Sequence, residues 1–298
     1  MKIVSIGEII WDVIDTDEFL GGAPLNFSIS AARLGHQVSL VSGVGDDDLG
    51  QRAITQLQEA GIDTACVSMR GGSPTGTAIV SLDDQGHASF EIPRPAAYDR
   101  LSREELPAQI DSDWVYFGTL FNSLPPNLET TLELLRRIPQ AKRFYDVNLR
   151  TGHWHVAAVM ELAAQAHVTK LNHDEVGILA LDLWAEDVMT EEDFCRRWNE
   201  EFGCTNVCIT RAERGCAIYC EGSFVEVKGF EVSVADTVGA GDAFAAAFLH
   251  GLNEGWTMEQ VGKFANAAGA LVASRAGATP EWTLDECLAL SRSSAVGA

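Results

Sequence analysis

The sequence predicts an α/β fold: a mostly parallel central sheet with helices on both faces, and a small β element set apart from it. Three observations predict it. Short apolar runs alternate with segments of helical period along the chain, the rhythm of strand–helix–strand crossovers. One pair of segments, Thr77–Leu82 and Ala88–Ile92, instead alternates like a hairpin around Asp83-Asp84-Gln85-Gly86, with no helix between. Finally, 298 residues of which 46% are hydrophobic are ample for a sizeable core, and no repeat, low-complexity tract or long linker divides them.

The elements follow in order. Lys2–Gly7 is a short apolar strand and Val38–Gly43 another, separated by the helical segment Leu25–Leu34. After the hairpin, Trp114–Phe117 and Arg143–Val147 read as buried strands with the amphipathic helix Asn127–Ile138 between them. Val168–Leu171 is a strand, followed by helices over Asp174–Leu183 and Glu191–Phe202. Val207–Thr210 and Ala217–Tyr219 are strands, and the chain closes with two apolar helices, Ala240–Leu252 and Met258–Ala273, and a short one near Leu284–Leu290.

Charge and composition exclude several functions. Against 43 Asp+Glu stand 21 Lys+Arg, a net charge of −22, and such a surface repels nucleic-acid backbones and anionic lipid. No nucleic-acid or membrane partner is expected, although a small pocket can still bind an anion through backbone N–H groups. Glu8 and Asp12 interrupt the only candidate leader, and the longest apolar runs fall far short of the about 20 residues of a membrane helix, so a soluble, cytoplasmic protein is expected. Seven cysteines in a long chain read as reduced, buried thiols. Cys204, Cys208, Cys216 and Cys220 have a spacing that invites a zinc reading, but positions four apart on a strand sit roughly 13 Å from each other, too far to share one tetrahedral ion.

Two phosphate-binding devices fail on inspection. Gly45 and Gly50 have Walker spacing, but Gln51 and Arg52 follow; Gly43-Val-Gly45-Asp-Asp-Asp48 lacks the third glycine of a dinucleotide loop. Asp46-Asp47-Asp48 lacks the alternating ligands of a calcium loop. The informative stretch is Ala235-Asp-Thr-Val-Gly239-Ala-Gly241-Asp242, running straight into an apolar helix. Gly239 and Gly241 let the backbone turn and expose N–H groups at the positive end of the helix dipole, which suits a phosphoryl group. Capping alone would account for Asp242, but not for the flanking glycines or for Asp236-Thr237. A carboxylate beside an anion hole is what phosphoryl transfer needs. A second segment, Gly21-Gly22-Ala-Pro24-Leu-Asn26, also enters a helix; its glycines allow close approach and Asn26 offers donor and acceptor to sugar hydroxyls, while Asp12 lies just upstream. His153-Trp-His155 reads as a surface turn, Trp184, Trp198 and Trp256 as core cover, and Glu186–Asp187 and Glu191–Asp193 as solvated helix starts.

Together the two segments resemble the signatures of the ribokinase-like (PfkB) family of carbohydrate kinases. Gly21, Gly22, Asn26, Ser28, Gly35 and Gly45 match the first, and Asp236 through Asp242 with Ala246 and Ala247 the second. Pro74-Thr-Gly-Thr-Ala78, Lys170-Leu-Asn172-His-Asp-Glu175, Thr210 to Gly215 and Asn266 extend the likeness over essentially residues 1–298, read as one kinase domain. The resemblance implies a ribokinase-like α/β fold with a small β lid, built from about 11–22 and 76–96, that closes over sugar and ATP and excludes water. It implies Asp242 as catalytic base with Gly239, Ala240 and Gly241 as anion hole, and Asp12, Gly22, Asn26, Asn148 and Arg150 at the sugar. Asn172, Glu175, Thr210, Gly215, Gly241 and Asn266 would serve ATP and magnesium. Asp236, with carbonyls near Val238, Arg275 and Gly277, would hold a potassium-like cation. The small-molecule partners are then a sugar and ATP, and a homodimer through the lid is plausible for the family.

Departures narrow the substrate. Ala212 stands where the nucleotide loop usually has glycine, and Gly118-Thr-Leu-Phe-Asn-Ser123 lacks the Arg that fructokinase-like members often carry. Gly-Gly-Ala-Pro-Leu-Asn resembles fructokinases rather than ribokinases, as does Phe90-Glu-Ile-Pro; Tyr145-Asp-Val-Asn148-Leu-Arg150 with Trp154 resembles both fructokinases and 2-keto-3-deoxygluconate kinases. Phosphorylation of fructose on its 6-hydroxyl is expected, with a 2-keto-3-deoxygluconate kinase, a nucleoside kinase, or a non-catalytic sugar or nucleotide sensor as alternatives.

Overall fold

The computed structural model describes residues 1–14, 17–82 and 88–293. Its main sheet has nine strands in the order β13-β12-β11-β10-β9-β8-β1-β4-β5. These are β1 (Lys2–Ile6), β4 (Gln37–Gly45), β5 (Val67–Arg70), β8 (Trp114–Gly118), β9 (Lys142–Asp146), β10 (Val168–Asn172), β11 (Asn206–Thr210), β12 (Cys216–Cys220) and β13 (Ser223–Val227). All neighbours from β11 to β5 pair in parallel; β12 and β13 turn antiparallel at one edge. A separate four-stranded sheet, β3-β2-β6-β7, is formed by β2 (Ile10–Ile14), β3 (Asp17–Gly21), β6 (Gly76–Leu82) and β7 (Ala88–Glu91). The stretches 11–22 and 76–96 supply the strands of this sheet, the last of which ends at Glu91, since Pro93 and Pro95 cannot continue a ladder. The turn Asp83-Asp84-Gln85-Gly86 lies outside the described residues.

Helices cover both faces of the main sheet. On one side lie α1 (Ala23–Arg33), α2 (Asp48–Glu59), α8 (Ala240–Asn253), α9 (Met258–Ala273) and α10 (Leu284–Arg292), packing Phe27, Leu57, Phe248, Phe264 and Cys287 into one core. The other side is covered by α4 (Pro125–Arg137), α5 (Val156–Ala163), α6 (His173–Trp184) and α7 (Glu191–Phe202), which bury Leu134, Leu162, Leu179, Phe194 and Trp198 in a second. A single turn, α3 (Thr119–Asn122), follows β8. Among the described residues no helix is long and apolar enough to cross a membrane.

Sequence alone passes over α2, α5, β5 and β13. In α2 the interior Gly50 and the acidic entry obscure a period of apolar residues at Ala53 and Leu57; Asp47 caps this helix and also accepts from the Thr75 N–H and hydroxyl, tying it to the residue just before β6. Gly50 is required there because a Cβ would lie 2.1 Å from the Gly45 carbonyl. Glu186 and Asp187 follow the end of α6 and start no helix. Glu191 does open α7, but its carboxylate is nearly buried in ion pairs rather than solvated. Trp198 is buried, and Trp184 and Trp256 are packed against the two cores. His155 caps α5 by accepting from the Ala158 N–H.

Candidate active site

The C-terminal ends of parallel strands are where open α/β sheets gather ligand-binding groups, and the chain passes from the end of β1 straight into the second sheet. The turn after β1 leads through Glu8 into β2, which carries Asp12. From β3 the chain enters α1 through Gly22, whose φ of 108° and whose missing Cβ, otherwise 2.7 Å from the Glu8 carbonyl, both demand glycine. Pro24 in the first turn then starts α1. One turn in, Asn26 is buried and its amide donates to Asp242 Oδ2 at 2.9 Å. That bond joins residues 216 positions apart and brings the two glycine-rich segments into one site.

Asp242 opens α8. Ahead of it Gly239 adopts φ 78°, and a Cβ there would stand 1.9 Å from the Ala278 carbonyl, so the turn closes only with glycine. Gly241 is exposed at the helix start, and the Lys170 ammonium approaches it: a Cβ on Gly241 would be 3.6 Å from Nζ. Lys170, on β10, is buried and donates to both oxygens of Asp146 at the end of β9, at 2.9 and 3.0 Å; the Tyr116 hydroxyl donates to the same carboxylate at 3.0 Å. Burial by itself would depress the Lys170 pKa, but Asp146 holds it above its ordinary value. Burial raises Asp242 from its ordinary 3.8 to about 7; Asp146 raises it too, while Lys170, Asn26 and Arg150 oppose. A carboxyl that exchanges its proton near neutrality, beside an ammonium and a helix N-terminus, is equipped to take a proton from a hydroxyl and to face a transferring anion.

The residues expected at the sugar lie on the strands and turns around this centre. Asp12 is partly buried; burial raises its pKa, against the opposing charge of Arg150. Asn148 takes a left-handed φ of 39° after β9, and Arg150 follows, exposed, its charge reaching Glu8, Asp12 and Asp242. On the other flank Asn172 caps α6 in a reciprocal box with Glu175. Glu175 is buried and accepts from the N–H groups of Asn172 at 2.7 Å and Leu149 at 2.6 Å, so it braces the turn that carries Asn148. Thr210 ends β11, and Gly215 closes the following loop with φ 95°, where a Cβ would be 2.1 Å from the Val227 carbonyl. Ala212 in that loop has φ 50°, the left-handed region that explains why glycine is the usual occupant. Asn266 does not offer its amide to the cleft: Nδ2 donates to the Val227 and Lys228 carbonyls and fixes the end of β13. Asp236 accepts from the N–H groups of Val238 at 3.0 Å and Gly277 at 3.1 Å, which gathers three of the four cation-site candidates. The Arg275 guanidinium turns away to Glu281 and Glu286, leaving only its backbone toward that loop.

Lys170 and Asp146 were named from sequence only as members of motifs, and Glu8 only as interrupting a leader, yet all three are buried beside this centre. Their signal is a charge inside, or at the end of, a run that otherwise reads as buried strand: burying an ionisable group without a partner is expensive, so Lys170 within Val-Thr-Lys-Leu points to a hidden counter-charge. Glu8 is buried, its pKa pushed up by burial, and among the described residues its Oε2 has no partner.

A mostly parallel α/β sheet, a separate small β sheet and a buried carboxylate in the first turn of a glycine-led helix suit a phosphotransferase acting on small hydroxyl compounds. The chain belongs to the pfkB family of carbohydrate kinases, whose family model matches residues 2–284. Fructokinase-1 of Oryza sativa is 28% identical over 308 residues, covering 93% of each chain. The structure of fructokinase with bound ATP from Xylella fastidiosa superposes with a TM-score of 0.86 at 26% identity over 97% of both chains. Aminoimidazole riboside kinase from Salmonella enterica shares the fold, with a TM-score of 0.84 at 24% identity over 98% of this chain and 100% of that one.

Proposed function

We propose that this kinase transfers the γ-phosphoryl group of ATP to the 6-hydroxyl of fructose. The observation that carries the reading is the Asn26–Asp242 hydrogen bond, because it sets a sugar-reading amide against the carboxylate placed to accept the hydroxyl proton. As the 6-oxygen bonds to phosphorus, its proton passes to Asp242 and ADP leaves. Charge on the transferring group is met by Lys170 and by the N-terminus of α8 at Gly239, Ala240 and Gly241. Asp12, Gly22, Asn148 and Arg150 frame the sugar. The adenosine end lies along Thr210–Gly215, where Asn266 acts through the Val227–Lys228 backbone.

Magnesium keeps several of its waters and is held largely by phosphate oxygens. Both Glu175 oxygens already accept backbone N–H groups, so Glu175 organises the phosphate end through Asn172 and the 148–149 turn. Asp236 with the carbonyls of Val238, Arg275 and Gly277 is an all-oxygen set suited to potassium. A homodimer through the lid sheet belongs to the same reading.

Fructose is favoured over 2-keto-3-deoxygluconate by the electrostatics around Arg150. Its charge already faces Glu8, Asp12 and Asp242, so a substrate carboxylate would have to compete with three acidic partners for it. The test is a panel of fructose, ribose, 2-keto-3-deoxygluconate and nucleosides with MgATP and potassium. Fructose should give the highest kcat/KM, and faster turnover of the sugar acid would overturn the assignment. Tight sugar binding with no ATP consumed would instead point to a sensor.

A further inference from the structure

We propose that Glu191 is a positioning residue for the nucleotide: a single carboxylate that locks the β10–α6 and β11–β12 junctions of the ATP side into one geometry. The inference rests on the kinase reading above. Glu191 is the first residue of α7, a helix that contributes nothing else to the site, and Thr190 caps it by accepting from the Asp193 N–H. From there its side chain reaches two other segments. One oxygen meets Nδ1 of His173 at 2.6 Å, the residue directly after Asn172. The other accepts from the Arg211 Nε at 2.6 Å and from the same guanidinium's Nη2. Arg211 opens the nucleotide loop, and its backbone N–H donates to the Gly215 carbonyl at 2.8 Å, closing that loop on itself.

Exposure separates this contact from the surface ion pairs elsewhere. The Glu191 side chain is 10% exposed and that of Arg211 16%, so the two-pronged pair is shielded from solvent. The second partner of Arg211, Glu226, is 65% exposed and meets a single nitrogen at 2.5 Å. A shielded, forked Arg–carboxylate contact has fixed geometry as well as strength, whereas an exposed single contact contributes little. Arg211 and His173 hold the Glu191 carboxylate below its ordinary pKa range, overriding the burial that pushes it up, so it stays ionised at neutral pH. Among the described residues the Glu191 side chain pairs with His173 and Arg211, neither of which is among the sugar residues proposed above. Its loss should therefore loosen the loop that meets nucleotide while leaving Asp12, Asn26 and Asp242 in place.

The test is calorimetric binding of MgADP to the full-length protein, with steady-state kinetics alongside. Glu191→Gln keeps the shape and removes the charge; its Kd for MgADP and KM for MgATP should each rise about tenfold, as expected for losing one charge-assisted contact. The sugar KM and kcat should stay within about twofold, and Glu226→Gln should bind MgADP as the wild type does. Glu191→Asp, which keeps the charge on a shorter arm, should recover part of the affinity. A merely structural residue would move both KM values and kcat together with the melting temperature, and that pattern overturns the proposal. Unchanged MgADP binding in both Glu191 variants overturns it as well. Failure of the wild type to bind MgADP would overturn the kinase reading and this inference with it.

Discussion

Asp242→Asn should make the protein more stable while making it nearly inactive, and the stability gain should depend on pH. Burial and the neighbouring Asp146 raise the Asp242 carboxyl from 3.8 to about 7, so the folded protein holds that proton more tightly than the unfolded chain does. Its contribution to stability is full below pH 3.8 and is lost as pH rises through about 7. Roughly three pH decades at about 1.36 kcal/mol each set an upper figure near 4 kcal/mol. Water reaching the cleft and the desolvation of the new amide reduce this, leaving about 2–4 kcal/mol at pH 8. For a chain of this size that corresponds to a rise in Tm of roughly 4–8 °C. Asparagine keeps the acceptor for the Asn26 amide, so the fold around it is preserved. Urea unfolding at pH 5 and pH 8 measures the effect, and the gain should be larger at pH 8. Turnover should fall about 10²–10⁴-fold, the usual contribution of a general base. Equal or lower stability of the variant at pH 8 would refute the reasoning, because Asp242 would then not be an acid held against its ionised form.

Wild-type kcat/KM should fall tenfold per pH step below about 7, and Asp146→Asn should move that acid limb down by about one pH step or more, since it removes a charge that raises Asp242 and leaves Lys170 opposing it. An unmoved limb in a pH–rate profile would assign it to another group. Ala212→Gly should relieve a left-handed alanine at φ 50° and raise stability by about 0.5–1 kcal/mol net of the added freedom of the unfolded chain, read by thermal melting. His36, at 3.0 Å from His250 and pushed down to about 4 chiefly by burial, supports the fold fully above pH 6.5 and loses that support as pH falls through about 4. His36→Gln should thus flatten the loss of Tm between pH 6.5 and 4, whereas an unchanged slope would clear the pair of that role.

Much of the chain was legible because its signals are local. Pro24 after two glycines starts α1, Thr257 with Gln260 boxes the start of α9, and α7 and α9 have the bounds their periodicity gives. The close approach read at Gly22 and the turn read at Gly239 both have a physical basis, since a Cβ at either would strike a carbonyl. What stayed hidden was pairing across the sheet. Lys170 and Asp146 face one another only because β10 and β9 are neighbours, a fact of topology that no spacing within either strand encodes. Glu191 was hidden for the same reason: an acid at a helix start reads as ordinary capping until the fold brings Arg211 and His173 against it. Asn266, expected at the nucleotide only from the family resemblance, has its amide Nδ2 committed to the backbone at Val227 and Lys228, which sequence could not show.

The net charge of −22 bears on the chemistry less than a few buried groups do. Exposed acids are screened beyond about 8–10 Å at physiological salt, and they are spread over the whole surface. Inside the site the balance is set at contact distance, where Asp146 is fixed by Lys170 and Tyr116 and in turn acts on Asp242. A second acid beside a buried carboxylate would be a liability in a purely structural core. Here it raises the proton affinity of Asp242 toward neutrality, where a base can still be ionised yet bind the proton it receives. Lys170 keeps Asp146 from being an unpaired buried charge and, by lying against Gly241, also supplies positive charge at the helix start. On the kinase reading proposed above, Lys170 therefore makes a base tuned by a neighbouring anion compatible with a site that must accept an anion.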